Sequence, residues 1–253
     1  MPRTSHVEVV LRLVRAWDDA WVRVWLFLMI GCGDNRIPAQ PADSPPPVDI
    51  AITPDAPSGM PGMPDLRWVA NLMDSSIRVM PETFPADSCE MEEQCIGAPG
   101  TRQLLRFDAI AENAGTADLI VGPPPSPGIS AGNFVWSRCH GHHHFNGYAV
   151  YELVDGDDVV ITGRKQAFCI LDTIQRTPGK ASNGYTCINQ GLTAGWADVY
   201  SSGLACQWLD ITDVPAGAYT LRVTVNPDGL LPESDRTNNV YEKSVTFYES
   251  SER

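Results

Sequence analysis

Histidine is scarce in this chain. There are five, one of which, His6, lies in a segment that reads as a leader; the other four fall within Cys139-His140-Gly141-His142-His143-His144. No imidazole follows His144, so a cupin-type or blue-copper site, which needs a further histidine far downstream, is excluded. Lysine is scarcer still, limited to Lys165, Lys180 and Lys243, and the formal charge of −13 argues against a nucleic-acid partner. That charge favours solubility and the attraction of cationic partners. The seven cysteines form no tight C-x-x-C pair. They are too many for a reducing cytosol unless they bind metal, and disulfides in an oxidising compartment account for them better. No internal repeat and no long amphipathic helical pattern is present, and 21 Gly with 21 Pro imply frequent turns.

The organisation follows from the remaining composition. Residues 24–32, Val-Trp-Leu-Phe-Leu-Met-Ile-Gly-Cys, form a short apolar run ending in a small residue and a cysteine. The run is far too short to span a bilayer as a helix. It resembles a bacterial lipoprotein signal over residues 1–31 with Cys32 as the lipidated position, the alternative being a secretory signal cut nearby. Taking Cys32 away leaves six cysteines, an even number for three bridges. Residues 32–62 are rich in Pro, Asp, Ser and Ala and read as an extended linker that holds a domain away from a surface. The folded domain is expected over residues 63–253. Short apolar or alternating runs there, Gln103–Ile110, Tyr148–Val154, Asp158–Thr162, Tyr219–Val225 and Val240–Tyr248, alternate with turn signals at 113–115, 155–156 and 215–217. They predict an all-β, loop-rich antiparallel sandwich with little helix.

The histidines carry the chemistry. His140, His142 and His144 share the spacing i, i+2, i+4, so on extended backbone they project from one face and His143 from the other. Same-face positions lie roughly 6.6 Å apart and a metal–nitrogen bond spans about 2 Å, so the backbone must curl for three rings to meet one ion. Gly141 and Gly147 permit that bend. A lone histidine reads best as a polar turn or a core residue, but three alternating ones beside a cysteine read as a metal site. Imidazole-only ligation suits Cu(II) or zinc, with copper binding more tightly. Structural zinc through Cys139 is the weaker rival, because closed structural sites favour thiolates.

Several blocks together resemble the catalytic domain of the lysyl oxidases, the copper- and quinone-dependent amine oxidases. They are Cys89-Glu90-Met91-Glu92-Glu93-Gln94-Cys95, Leu104-Leu105-Arg106-Phe107, residues 136–144 around the histidines, residues 163–169 (Gly-Arg-Lys-Gln-Ala-Phe-Cys), residues 206–215 from Cys206 to Pro215, and residues 232–239 from Pro232 to Asn239. The resemblance runs from about Met63 to Tyr248, and its motifs keep the family's order and spacing.

The resemblance implies that His140, His142 and His144 bind copper. It implies a lysine tyrosylquinone built from Lys165 and Tyr200, whose carbonyl captures a substrate amine. Without it, Lys165 reads as a surface lysine and Tyr200 as a packed ring. A base must take a proton from the substrate's α-carbon. Asp198, which shares a strand face with Tyr200, and Asp172, seven residues after Lys165, are the candidates. The family's bridges map onto Cys89–Cys139, Cys95–Cys206 and Cys169–Cys187, while Gln175 and Trp196 stand where a fourth would be. Glu233, Asp235, Asn238 and Asn239, with Asp65 and the Leu66 carbonyl, match a structural Ca²⁺ site of hard oxygen donors; without the resemblance they read as a polar turn. The animal members add a further cysteine-containing stretch and accessory domains, so no collagen-like or elastin-like substrate is implied for this sequence. The activity implied is oxidation of a primary amine, such as a peptidyl lysine, by O₂ to an aldehyde, in an exported protein: an envelope lipoprotein, or else periplasmic or secreted. The alternative is a non-catalytic, calcium-stabilised copper-binding module.

Overall fold

Alternation of inward apolar and outward polar side chains builds the largest sheet. The computed structural model describes residues 62–163 and 169–248. The leader, Cys32 and all of the linker but residue 62 lie outside the described residues, as does Lys165. In β14 (Gly217–Val225) the side chains of Leu221, Val223 and Val225 are buried while their neighbours are not. The same pattern in β8 (Ala149–Asp155) buries Ala149, Tyr151 and Leu153. With β15 (Val240–Phe247) and β9 (Asp158–Thr162) they form an antiparallel sheet in the order β15-β14-β8-β9. The 155–156 turn signal closes the β8–β9 hairpin, Asp155 standing opposite Asp158.

A second four-stranded sheet runs β1-β4-β12-β10, from β1 (Leu66–Trp68), β4 (Ala109–Asn113), β12 (Trp196–Tyr200) and β10 (Ile174–Gln175). Every residue of β4 is buried, as expected of a central strand covered on both sides. Its Glu112 is neutralised by Arg67 and Arg176, each 2.8 Å away. Both sheets contribute to one apolar cluster, with Leu66, Ala109, Ala111 and Ala197 from one and Tyr151, Leu153, Leu221 and Val223 from the other. This is the expected all-β, sandwich-like architecture. Helix is limited to α1 (Ala70–Asp74) and α2 (Cys89–Glu92) among the described residues.

The run 103–110 does not form one strand. It divides into β3 (Gly100–Arg106) and β4, and the two ends belong to different sheets. The corner at Phe107-Asp108 is pinned by Asp108, whose amide donates to Ser76 Oγ (2.8 Å) and whose Oδ1 accepts from the Ser202 amide (2.6 Å). Beyond it, β3 pairs with β2 (Arg78–Phe84) and β13 (Trp208–Asp210). That three-stranded sheet covers a smaller cluster of Phe84, Ile96, Leu104 and Trp208 around the Cys95–Cys206 bridge. The remaining pairs are β5 (Leu119–Gly122) with β11 (Gln190–Leu192), and β6 (Phe134–Ser137) with β7 (His142–Phe145).

Candidate active site

The β6–β7 hairpin decides where the imidazoles go. Ser137 stands opposite His142, leaving residues 138–141 as the turn, and Gly141 takes φ +66°, a conformation unstrained only for glycine. His142 and His144 lie on one strand face, and the turn brings His140 back over them. The curl required for convergence is therefore a hairpin turn. His142 Nε2 and His144 Nε2 are 3.1 Å apart, and the three ring centroids are separated by 5.8, 5.4 and 4.9 Å. Two bonds of about 2 Å at a tetrahedral angle put their nitrogens roughly 3.3 Å apart, so the His142–His144 pair can share one ion, with the His140 ring beside it. His143 faces the other way, packed on Trp136 and Phe134 with Nε2 2.7 Å from the Ile129 carbonyl. It is a structural histidine.

Three disulfides join Cys89 to Cys139, Cys95 to Cys206 and Cys169 to Cys187. Cys139 therefore offers no thiolate, which removes the zinc site through that residue. The sulfurs of Cys169 and Cys187 lie within 4.8 Å of a His142 ring nitrogen, but they are bonded to each other and brace the ring instead of extending the ligand set. Gln175 and Trp196 are direct register partners between β10 and β12, a position from which two cysteines could be bridged.

Tyr200 and Asp198 are two residues apart on β12, facing the same way, opposite Ala109 and Ala111 of β4. The small side chains of β4 leave room for the carboxyl and the ring. Both are buried. The Tyr200 hydroxyl donates to the Cys169 carbonyl at 3.3 Å, and Tyr148 packs edge-on to its ring at 5.7 Å. Cys169 thus lies near His142 as well as bonding to Tyr200, and it comes four residues after Lys165. Burial, then the charge of Asp198, push the Tyr200 hydroxyl far above the usual range. Asp198 is only 1% exposed, and its Oδ2 has no hydrogen-bond partner. Burial lifts its carboxyl to about 7, against the nearby polar hydrogens of Tyr200, the Leu171 amide, Thr173 and the Val199 amide, which hold it down; Thr173 Oγ1 donates to Oδ1 at 3.4 Å. Asp172 is different: it accepts from the Thr193 amide (2.8 Å), Thr193 Oγ1 (2.7 Å) and Ser182 Oγ (2.5 Å), and pins a loop.

The oxygen donors gather at the opposite end of β1, where Asp65 and Leu66 meet the 233–239 segment between β14 and β15. Glu233 is fully buried; its Oε1 accepts from Asn226 (2.5 Å) and Asn239 (2.7 Å), and its Oε2 from the Leu66 amide (3.1 Å). Asn238 Nδ2 donates to Asp65 Oδ1 at 3.1 Å, which turns Asn238 Oδ1 inward; that oxygen and Asn239 Oδ1 are buried without a hydrogen-bond partner. Asp235 Oδ1 instead accepts from the Thr237 amide and hydroxyl, 2.8 and 2.6 Å away. Burial, with the nearby charge of Asp65, raises the Glu233 carboxyl. Orphaned amide oxygens and crowded carboxylates fit a hard cation.

Two residues of the site carried no assignment from sequence. Glu93, quoted above only within a cysteine block, reaches His140, and Tyr148 puts a buried, unpartnered hydroxyl beside Tyr200. Neither has a local signal, because each acquires its neighbours through tertiary folding.

A sequence profile for the lysyl oxidase family matches residues 64–253. The chain is 34% identical over 198 residues to protein-lysine 6-oxidase of Homo sapiens, covering 74% of this chain and 46% of that one. The corresponding protein of Sus scrofa is also 34% identical over 198 residues, covering 74% and 77%. Lysyl oxidase homolog 2 of Rattus norvegicus is 35% identical over 190 residues, covering 70% and 24%. The chain thus spans less than half the length of the human and rat proteins.

Proposed function

Because the chain belongs to the lysyl oxidase family, we propose that it is an exported copper amine oxidase acting on primary amines, peptidyl lysine among them. The observation that carries this reading is the position of Cys169, whose sulfur lies within 4.8 Å of a His142 ring nitrogen and whose carbonyl accepts from the Tyr200 hydroxyl. His140, His142 and His144 hold Cu(II), and Lys165 with Tyr200 forms the lysine tyrosylquinone. When bound, these groups supply the oxidation of R-CH₂-NH₂ with O₂ and water to R-CHO, ammonia and hydrogen peroxide. The protein's own part is positional. The walls around Tyr200 and Tyr148 exclude water, which strengthens electrostatic interactions inside. Asp198 Oδ2 is the proton acceptor for the substrate's α-carbon, and a carboxyl poised near 7 suits a base that must also give the proton back. The acidic balance of the chain favours cationic amines over neutral ones.

The oxygen donors hold Ca²⁺ in a structural role, joining the start of β1 to the segment before β15. Three disulfides suit an oxidising compartment, in keeping with a leader over residues 1–31, lipidation at Cys32, a linker over 32–62 and a catalytic domain over 63–253.

Mass spectrometry of a peptide digest of copper-loaded protein tests the reading directly. A crosslinked peptide pair joining Lys165 to Tyr200 is expected. Stoichiometric copper with both residues unmodified would favour the non-catalytic copper-binding module.

A further inference from the structure

The three imidazoles are not held alike. His142 and His144 are fixed by the β7 ladder, whereas His140 lies in the turn, where backbone pairing does less to orient a ring. Glu93 faces it, with Oε2 3.1 Å from His140 Nε2. The same carboxylate accepts from Ser137 Oγ through Oε1 at 2.7 Å, and Ser137 Oγ accepts from the His140 amide at 3.1 Å. Carboxylate, hydroxyl and histidine thus close a ring of hydrogen bonds, with the Glu93 side chain 16% exposed and that of His140 26%.

The backbone aims Glu93 at this target. It is the C-terminal cap of α2, and Gln94 after it takes φ +58°. The Cys95 amide donates to the Glu90 carbonyl (2.8 Å) and the Gln94 amide to Met91 (3.2 Å), the pattern that ends a helix through a left-handed residue. The carboxylate is also clamped from both sides. Cys89, four residues before it, is bonded to Cys139, which directly precedes His140, and Cys95, two residues after it, is bonded to Cys206.

We propose that Glu93 is the positioning residue of the histidine site: it accepts the Nε2 hydrogen of His140 and so fixes both the orientation and the tautomer of that ring. A neutral imidazole that donates from Nε2 keeps its lone pair on Nδ1, so His140 offers Nδ1 to the metal. The inference rests on the copper reading of the three histidines and adds a residue to it.

Cu(II) affinity of the full chain, measured by competition with nitrilotriacetate, tests it. Glu93→Ala is expected to weaken binding about tenfold to a hundredfold. Glu93→Gln should recover part of that loss, because its amide oxygen still accepts from Nε2, and Ser137→Ala should shift affinity the same way by less. The metal-free thermal midpoint and the three disulfides should be unchanged in Glu93→Gln, which separates positioning from a folding defect. Electron paramagnetic resonance of bound Cu(II) should show the same directly coordinated atoms in wild type and Glu93→Gln. Wild-type affinity in Glu93→Ala, within about twofold, overturns the inference alone. Loss of a directly bound oxygen in Glu93→Ala would make Glu93 a ligand and overturn it too. A wild-type chain that binds no copper overturns the underlying reading instead.

Discussion

The two donor clusters of this chain are held by opposite means. The imidazoles sit on a two-stranded hairpin, stitched by Cys89–Cys139 to a four-residue helix and flanked by the small core around Cys95–Cys206. The oxygen donors sit where the two large sheets meet, fixed by buried hydrogen bonds to Glu233 and by Trp68 Nε1 donating to the Asn239 carbonyl at 2.8 Å. A small cluster of apolar side chains cannot fix a loop by burial alone, so covalent bridges do it. A large core can fix one through buried hydrogen bonds, as Glu233 does here, while leaving Asn238 Oδ1 and Asn239 Oδ1 without a hydrogen-bond partner. The lesson is that the histidine end should be sensitive to reduction and the oxygen end to cation removal.

The largest expected effect separates the two ends completely. His142→Ala should reduce amine-dependent peroxide release to background and abolish tight copper binding, with the thermal midpoint in excess Ca²⁺ unchanged. Glu233→Ala should do the reverse. It leaves the Asn226 and Asn239 amides and the Leu66 amide without their acceptor, at about 1–3 kcal/mol for each group left unsatisfied. Its midpoint should fall by several degrees and lose its response to Ca²⁺, while copper still binds in the folded protein. Scanning calorimetry with each metal in turn checks the pair; equal loss of both metals in either variant would dissolve the distinction.

Next comes the bridge itself. Replacing Cys95 and Cys206 together by Ala opens a loop of 111 residues, which should cost about 2–5 kcal/mol. Urea titration should show that loss. Copper affinity should fall more than calcium affinity, because Glu93 lies two residues from Cys95.

The pH dependence is smaller and tests Asp198. Its folded carboxyl is raised to about 7 from an ordinary value of 3.8, so the proton stays on until about pH 7. If Asp198 is the base proposed above, it works only without that proton, and kcat/KM should rise with pH and level off above about 7. The sign for stability is opposite: the contribution is full below pH 3.8 and is lost as the pH rises to about 7. Asp198→Asn should therefore be inactive yet have a higher melting point than wild type at pH 8.

The smallest effect is at Ser88, whose hydroxyl caps α2 by accepting from the Met91 amide at 3.4 Å. Ser88→Ala should cost only about 0.5 kcal/mol, the low end for an N-cap. The disulfide at Cys89 holds that turn regardless, and chemical denaturation would show a larger loss if it did not.

How much of this was legible in the sequence varies by element. The hairpin 155–158 and strands β14 and β15 declared themselves through turn residues and period-two alternation. The run 103–110 did not, since an apolar segment carries no mark of the point where a chain leaves one sheet for another. His140, His142 and His144 stood out by spacing, and the opposite orientation of His143 followed from strand geometry. The choice between Asp198 and Asp172 was open, because two carboxylates near a candidate site look alike until their donors are counted. Asp172 has three hydrogen-bond donors on it; Asp198 keeps one oxygen free of them. Glu93 was only one of three glutamates in a cysteine block.

The sequence by itself determined the donor types and the all-β class, because side-chain chemistry and alternation are local properties of the chain. It also determined, by ending its histidines at His144, that any imidazole site had to come from one stretch. Tertiary structure alone decided which groups are dry, which are paired and which face one another. Glu93 and His140 are 47 residues apart and Asp65 and Asn238 are 173 apart, and both pairs meet only after sheets, bridges and corners have formed. Burial and pairing depend on those long-range approaches, and so do the basicity of Asp198 and the orientation of His140.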